Sequence, residues 1–104
     1  MPDRIAKIAK LLAQTPDDVF LHYSLAMELC AAGRLTEADA EFARCIELDA
    51  AYLPAYVEGG KCLRQAGRLA DARTLFQRGL SLAAAKGDGH AQDFIRQQLE
   101  SLPA

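Results

Sequence analysis

Apolar side chains recur every three or four residues through most of this chain, with polar side chains between them. This spacing places the apolar positions on one face of a 3.6-residue helix. Two such stripes flank Gly33, and they predict two helices that turn back on each other there. The stripes consist of Leu21, Leu25 and Leu29 before the glycine, and of Ala38, Phe42, Cys45 and Ile46 after it.

The whole pattern repeats after 34 residues. The Ala-Gly-Arg-Leu sequence at residues 32–35 recurs at residues 66–69. Residues 19–52 and 53–86 share eleven identical pairs out of 34, where unrelated segments would share roughly two or three. The chain therefore contains two copies of one helical hairpin.

Turn chemistry marks the boundary between the two helices of each copy. Gly33 and Gly67 stand there, where a left-handed residue closes a helix without a clash from a Cβ atom. In the first copy, Thr36 and Asp39 have the spacing of a capping box and predict the start of the second helix. The second copy has no comparable cap at this place.

Three further segments predict helix ends. Residues 15–18 supply a threonine hydroxyl, a proline and two carboxylates, so we expect Thr15 to cap a helix that starts there. Pro54 is expected in a first helical turn, where its missing N–H breaks no hydrogen bond. Residues 87–89, Gly-Asp-Gly, are expected to stop one helix and cap the next. A phosphate-binding loop would need a preceding strand and usually a lysine, and this segment has neither.

These features resemble the tetratricopeptide repeat, a 34-residue helix-turn-helix unit. The family's characteristic positions carry His22, Leu25, Ala26, Gly33, Ala38, Phe42, Cys45 and Ala50 in the first copy, and Tyr56, Gly59, Gly60, Gly67, Ala72, Phe76, Gly79 and Ala84 in the second. Cys45 and Gly79 replace the usual alanine, and Ala50 and Ala84 replace the usual proline. The resemblance implies an all-α fold of about six helices, in which antiparallel helix-turn-helix repeats stack as a short right-handed α-solenoid and form one domain over residues 1–104.

In the family register, residues 1–16 form the second half of a preceding repeat, because Pro16 falls at its proline position. We expect a helix over residues 4–13 that turns four apolar side chains inward: Ile5, Ile8, Leu11 and Leu12. Arg4, Lys7 and Lys10 make a membrane-surface helix the alternative, but they fit better as the solvated face of a capping helix.

Residues 88–102 are expected to form a helix that caps the other end of the stack. Its apolar stripe runs one residue later than the repeat register, which is typical of terminal repeats. The stripe consists of Ala91, Phe94, Ile95, Leu99 and Leu102.

The composition, 51% hydrophobic and 25% charged, is that of a folded globular chain. A formal charge of −2 argues against a general nucleic-acid binder, which gathers Lys and Arg on one face. No apolar run approaches the roughly 20 residues that cross a bilayer, and the N-terminus lacks a signal-peptide core. We therefore expect a cytoplasmic protein with neither a nucleic-acid nor a membrane partner.

The residues with reactive side chains form no recognisable site. Cys30, Cys45 and Cys62 lack CxxC spacing, which favours reduced core or groove thiols over a disulfide or a zinc site. His22 and His90 are too far apart along a stack of repeats to share a metal ion, and His22 is expected to pack as the aromatic residue of its repeat. Without a Ser/His/Asp grouping or a Cys–His pair, we expect no catalysis, no metal and no cofactor.

In tetratricopeptide proteins, the first helices of successive repeats line a concave groove that binds peptides or partner helices. The resemblance places in it Phe20, Tyr23, Met27, Cys30 and Ala31 of the first copy and Pro54, Val57, Lys61, Arg64 and Gln65 of the second. This groove is apolar at one end and basic at the other, so we expect a partner segment with apolar residues followed by acidic ones. Aromatic anchors such as Phe20 and Tyr23 often dominate binding energy, although these side chains could instead complete the packing between helices.

Other functions stay open at this stage. The family's chaperone-binding members hold a C-terminal carboxylate with a Lys/Asn clamp, but Tyr23, Met27 and Glu58 stand at the clamp positions here. So short a stack could also cover its groove or its ends with a second copy, as a homodimer. An enzyme or regulatory subunit without a visible site is the remaining alternative.

Overall fold

The computed structural model describes residues 3–103, and it contains six α-helices and no strand in this range. The helices are α1 (Arg4–Gln14), α2 (Val19–Ala31), α3 (Leu35–Leu48), α4 (Leu53–Gln65), α5 (Leu69–Lys86) and α6 (Gly89–Ser101). α2 packs most extensively on α3, and α4 on α5, while α1 and α6 pack on the two ends. The all-α prediction of stacked hairpins is confirmed.

The two hairpins turn by the same backbone device. Gly33 and Gly67 have φ angles of 77° and 78°, in the left-handed region that favours glycine. The next amide reaches back across the helix end, from Arg34 to the Leu29 carbonyl and from Arg68 to that of Leu63, at 2.9 Å in both cases. Each turn therefore satisfies helix-terminal carbonyls as a Schellman motif does, which confirms the predicted glycine turns.

The predicted capping box of Thr36 and Asp39 is wrong. α3 begins at Leu35, its N-cap is Arg34, and no side chain caps it. Instead, the Arg34 guanidinium donates to Glu37 at 2.8 Å, and Arg68 at the start of α5 donates to Asp71 at 3.0 Å. Both copies thus hold a carboxylate in the first turn, where the helix dipole favours it.

The predicted role of Thr15 is also wrong. α1 ends at Gln14, and the Thr15 hydroxyl donates to the Leu11 carbonyl at 3.2 Å, so it closes α1 instead of opening α2. Asp18 is the cap of α2 and accepts from the Leu21 amide at 3.0 Å. The carboxylate takes this place because it stands immediately before the first helical residue.

The other two predictions about helix ends are confirmed. Pro54 lies in the first turn of α4. Gly87 closes α5 with a φ of 70°, and Asp88 caps α6 by accepting from the Ala91 amide at 3.0 Å.

A large aromatic ring fills the core of each hairpin. Phe42 and Phe76 are almost completely buried. Gly60 on α4 allows the second ring to lie against the backbone, because a Cβ atom there would come within 2.5 Å of Phe76. Gly79 likewise leaves room for Tyr56, whose Cβ would lie 2.9 Å from a Cβ at that glycine. The small residues of the second copy therefore serve close helix approach.

The aromatic position of the repeat makes the same polar contact in both copies. Tyr56 Oη donates to the Ala50 carbonyl at 2.7 Å. At the corresponding positions of the first copy, His22 Nε2 lies 2.7 Å from the Pro16 carbonyl. His22 Nδ1 also lies 2.6 Å from Glu41 Oε1 on α3. His22 is partly buried, as its aromatic position predicts, and it links α2 to α3 and to the loop that precedes α2.

The two terminal helices differ in how they meet the core. On α6, Ile95 is buried, as is Leu102 just beyond the helix, and the rest of the predicted stripe is half-buried, as expected. On α1, Leu12 is buried and Ile5 and Ile8 are half-buried, but Leu11 is 51% exposed. The inward orientation predicted for Leu11 is wrong, because it lies at the edge of the face that packs on the core, one turn from Ile8, where no neighbouring helix of residues 3–103 covers it.

Candidate functional site

Three of the five predicted groove residues of the first copy lie in a crevice between α1 and α2. This crevice has a volume of about 460 Å³. The crevice is lined by Arg4, Lys7 and Ile8 of α1 and by Phe20, Leu21, Tyr23, Ser24, Met27 and Glu28 of α2. The structure thus brings three predicted residues, Phe20, Tyr23 and Met27, together at one wall.

The three predicted residues of this wall are not equally free. Phe20 is 64% exposed and Met27 37% exposed, and both are large apolar side chains. Tyr23 packs edge-on against Phe42 and Tyr52, with ring centroids 6.1 and 5.5 Å away. Burial raises the pKa of Tyr23, so the phenol keeps its proton at neutral pH. The ring of Tyr23 is therefore held by its contacts with Phe42 and Tyr52, while Phe20 and Met27 offer apolar surface to a ligand.

The predicted residues at the start of α4 lie in a second depression. It has a volume of about 510 Å³ and includes Pro54 and Val57. Its other lining residues are Asp49, Ala51, Tyr52, Leu53, Glu58, Lys86 and Asp88. The first and second copies thus contribute to two depressions of different character, and the second is the more highly charged.

Cys30, another predicted groove residue, lines neither of these two depressions. It is half-buried, and its thiol lies 3.7 Å from Gln65 Oε1, which ties α2 to α4. The other two cysteines are buried, and burial raises the pKa of Cys45 to about 11 and that of Cys62 to about 12. Their thiols therefore stay protonated at neutral pH and are weak nucleophiles.

The basic end of the predicted groove is already engaged. Lys61 Nζ lies 3.2 Å from Glu58 Oε1 on its own helix and 5.9 Å from the centroid of the Phe94 ring on α6. Arg64 is half-buried and donates to Gln98 at 3.1 Å and to Ser101 at 2.7 Å. Both cations therefore help to hold α6 in place, and neither projects unpaired into the groove.

Sequence reasoning missed the α1 side of the crevice. Shifting α1 by 34 residues places Arg4, Ile8 and Leu11 on Ala38, Phe42 and Cys45, residues that are 0–1% exposed in α3. In α3 this face packs on α2, since Phe42 contacts Tyr23 and the Cys45 thiol lies 3.6 Å from the Val19 carbonyl. The repeat itself would have signalled that this face of α1 needs a partner.

No group of three or more His, Cys, Asp or Glu side chains within residues 3–103 could hold a metal ion. None of the six helices is long and apolar enough to cross a membrane. The surface features that stand out in this range are therefore depressions with apolar walls and charged rims.

Comparison with known proteins connects this architecture to characterised folds. A curated TPR repeat-containing protein of Pseudomonas aeruginosa is 34% identical over 88 residues, which cover 85% of this chain and 84% of that protein. No family model matches the sequence.

Two solved structures share the helix arrangement. The TPR2B domain of yeast Sti1, in complex with pHsp70, superposes with a TM-score of 0.86 over 92% of this chain and 77% of its own, at 19% identity. A tetratricopeptide repeat domain protein from Salinibacter ruber gives a TM-score of 0.74 over 81% of this chain and 85% of its own, at 26% identity.

Proposed function

Because this chain belongs to the tetratricopeptide repeat family, we propose that it is a non-catalytic module that binds a short peptide or helix of a partner protein. The observation that carries the proposal is the apolar wall of Phe20 and Met27, which stays exposed on a first helix of the stack. Exposed apolar patches with polar rims mark interaction sites, and aromatic residues and methionine are enriched in interface cores.

The binding surface extends along the first helices of the two repeats. We define the groove as the face that carries Phe20, Tyr23, Met27, Cys30, Val57, Lys61 and Arg64. In this proposal Phe20 and Met27 are the anchors, since Tyr23 is held by its ring contacts and Arg64 by its bonds to α6. Val57 offers a second apolar contact beside Glu58.

The expected ligand is a segment with one or two apolar residues followed by acidic ones. Apolar residues suit the Phe20 and Met27 wall, while acidic ones are attracted to Lys61 and Arg64, which would have to share their charge between the ligand and their present partners. A free C-terminal carboxylate is not required, because Tyr23, Met27 and Glu58 stand where a carboxylate clamp would need Lys and Asn. A surface of this size favours modest affinity, of about micromolar Kd.

A peptide-display selection on the immobilised chain tests the proposal. We expect enrichment of apolar-acidic sequences, and binding of a synthesised consensus peptide should fall about tenfold or more in Met27→Glu, which places a like charge in the apolar wall. The matched control is Gln77→Glu, which adds the same carboxylate at an exposed position of α5. No enrichment, or equal loss in both variants, would contradict the proposed function.

A further inference from the structure

One face of α1 is exposed, although the corresponding face of the second helix is covered in both complete hairpins. Its residues Arg4, Ile8 and Leu11 correspond to Ala38, Phe42 and Cys45 of α3, which pack on the hairpin partner α2. Within residues 3–103, α1 has no such partner, and Leu11 is 51% exposed where Cys45 is fully buried. The uncovered face of α1 therefore has the register of a helix-packing surface.

The first turns of α2 complete this surface from the other side. Phe20 and Met27 lie about two turns apart on α2, and Leu21, Ser24 and Ile8 also line the crevice. In the next copy, the residues that correspond to Leu21 and Glu28 are Ala55 and Cys62, and both are buried against the first hairpin. The crevice is thus where a helix of a preceding hairpin would pack.

The rim of this crevice is basic. Arg4 and Lys7 line it, and Lys7 and Lys10 lie beside Leu11 in an adjoining depression of about 320 Å³ on α1. α1 has no carboxylate between residues 4 and 14. Arg4 already lies 3.9 Å from Glu28 on the opposite wall. No carboxylate of residues 3–103 lies within 4.0 Å of the ammonium group of Lys7 or Lys10. The available charge at the rim is therefore positive.

We propose that the crevice, together with the adjoining surface of α1 around Leu11, binds an acidic amphipathic helix of a partner protein, which packs on α1 and α2 as the partner helix does in the two complete hairpins. The inference rests on the proposed function, and it names the form of the ligand and moves the acid-recognising residues from Lys61 and Arg64 to Lys7 and Lys10. The ligand's apolar stripe packs on Ile8, Leu11, Phe20 and Met27, as in helix-in-groove recognition. Its flanking carboxylates face the two lysines.

A second copy of the chain does not suit this surface. A symmetric contact through α1 would bring two helices together that each carry basic side chains and no carboxylate between residues 4 and 14. Like charges placed opposite each other disfavour association, whereas an acidic helix is attracted. The charge of the rim therefore selects a different partner over a homodimer.

The test uses a pair of synthetic probes. Both are labelled helices of about 14 residues. A lactam staple holds each of them helical, because isolated helices of this length are marginally stable in water. One carries Leu at i, i+4 and i+7 with Glu at the flanking positions, and the other has Lys in place of each Glu. Fluorescence anisotropy measures binding to the full chain. We expect the Glu probe to bind about tenfold more tightly than the Lys probe, with a preference that weakens as salt is added.

Charge reversal on α1 decides where the probe sits. The double variant Lys7→Glu/Lys10→Glu should reverse the preference, so that the Lys probe binds more tightly, while circular dichroism shows the same helicity. The control Lys61→Glu reverses a groove cation on α4 and should leave the preference unchanged. If Lys61→Glu alone alters the preference, the ligand lies in the groove, and this inference fails while the proposed function stands.

Two further outcomes would also overturn the inference. One is equal or absent binding of both probes to the wild-type chain, which leaves the display selection as the independent test of the proposed function. The other is a dimer in sedimentation velocity that Leu11→Gln dissociates, because a second copy would then occupy the crevice.

Discussion

The two ends of the helical stack are closed to different degrees. At the α6 end, Ile95 is fully buried, Leu102 is 6% exposed, and Arg64 binds two side chains of the last helix. At the α1 end, Leu11 and Phe20 are 51% and 64% exposed. Both ends are amphipathic helices that place apolar residues in the core, but only the α1 end also leaves large apolar side chains exposed.

This difference separates stability from recognition within one small repeat protein. A terminal repeat needs a polar outer face to end the stack, and α6 provides one. α1 instead ends the stack with apolar residues beside a basic rim, a combination that marks an interaction surface more than a cap. We infer that the α6 end stabilises the fold and that the α1 end is free to bind.

The largest expected effect on the free energy of unfolding comes from the cores of the two hairpins, which should contribute equally to stability. Phe76→Ala and Phe42→Ala should each lower the free energy of unfolding by about 3–5 kcal/mol, since each removes a buried ring. Urea denaturation measures the change. Phe20→Ala is the matched control at the open end, and a comparable loss there would break the distinction between core and surface rings.

The next prediction compares the two ends directly. Ile95→Ala should lower the free energy of unfolding by about 2–5 kcal/mol, because it leaves a cavity under α6. Leu11→Ala should change it by about 0.5 kcal/mol or less, since the side chain is half exposed and lies outside the core clusters. Equal destabilisation by the two variants, again from urea titrations, would show that α1 closes its end as fully as α6 does.

A smaller effect on the free energy of unfolding is expected from the polar contact that each copy makes through its aromatic position. Tyr56→Phe removes the hydroxyl that donates to the Ala50 carbonyl and should lower the free energy of unfolding by about 1 kcal/mol. His22→Ala removes the matching contact with Pro16 and that with Glu41, so its effect should be larger. A smaller effect for His22→Ala would mean that the first copy does not depend on this link.

The last prediction concerns the order in which the three thiols react, since a buried thiol reacts only when the helices around it separate. Cys45 and Cys62 are buried with raised pKa values, so iodoacetamide at pH 8 should label Cys30 well before either of them. The stability that comes from keeping Cys45 neutral is full below its ordinary pKa of 9.0 and is lost as the pH rises through about 11. Peptide mapping by mass spectrometry measures the labelling order. Rapid labelling of Cys45 would show that the interior is open.

The spacing of apolar residues and the turn glycines were sufficient to predict the helices. Gly33 and Gly67 could be placed because only a left-handed residue closes these turns. Thr15 was misassigned since Thr15 and Asp18 are both good caps, and a local pattern does not tell a helix end from a helix start. The error at Leu11 has a related cause: periodicity identifies an apolar face but not whether a second helix covers it.

The candidate site was harder to predict than the fold. Lys61 and Arg64 look like free groove cations in the sequence, but their partners Phe94, Gln98 and Ser101 lie 33 to 37 residues later. Such long-range polar contacts depend on the angle at which α6 packs, which no local pattern encodes. The exposure of Phe20 and Met27 could be predicted, because the repeat register fixes which face of a first helix stays uncovered.

The most direct test of the open end is a map of amide and methyl NMR shifts of the full chain during titration with the acidic helical probe. We predict that the shifts concentrate on Ile8, Leu11, Phe20 and Met27, while those around Ile95 stay unchanged. Shifts that concentrate on α6, or on Val57 and Lys61 with α1 unaffected, would contradict the claim that the α1 end is the binding end.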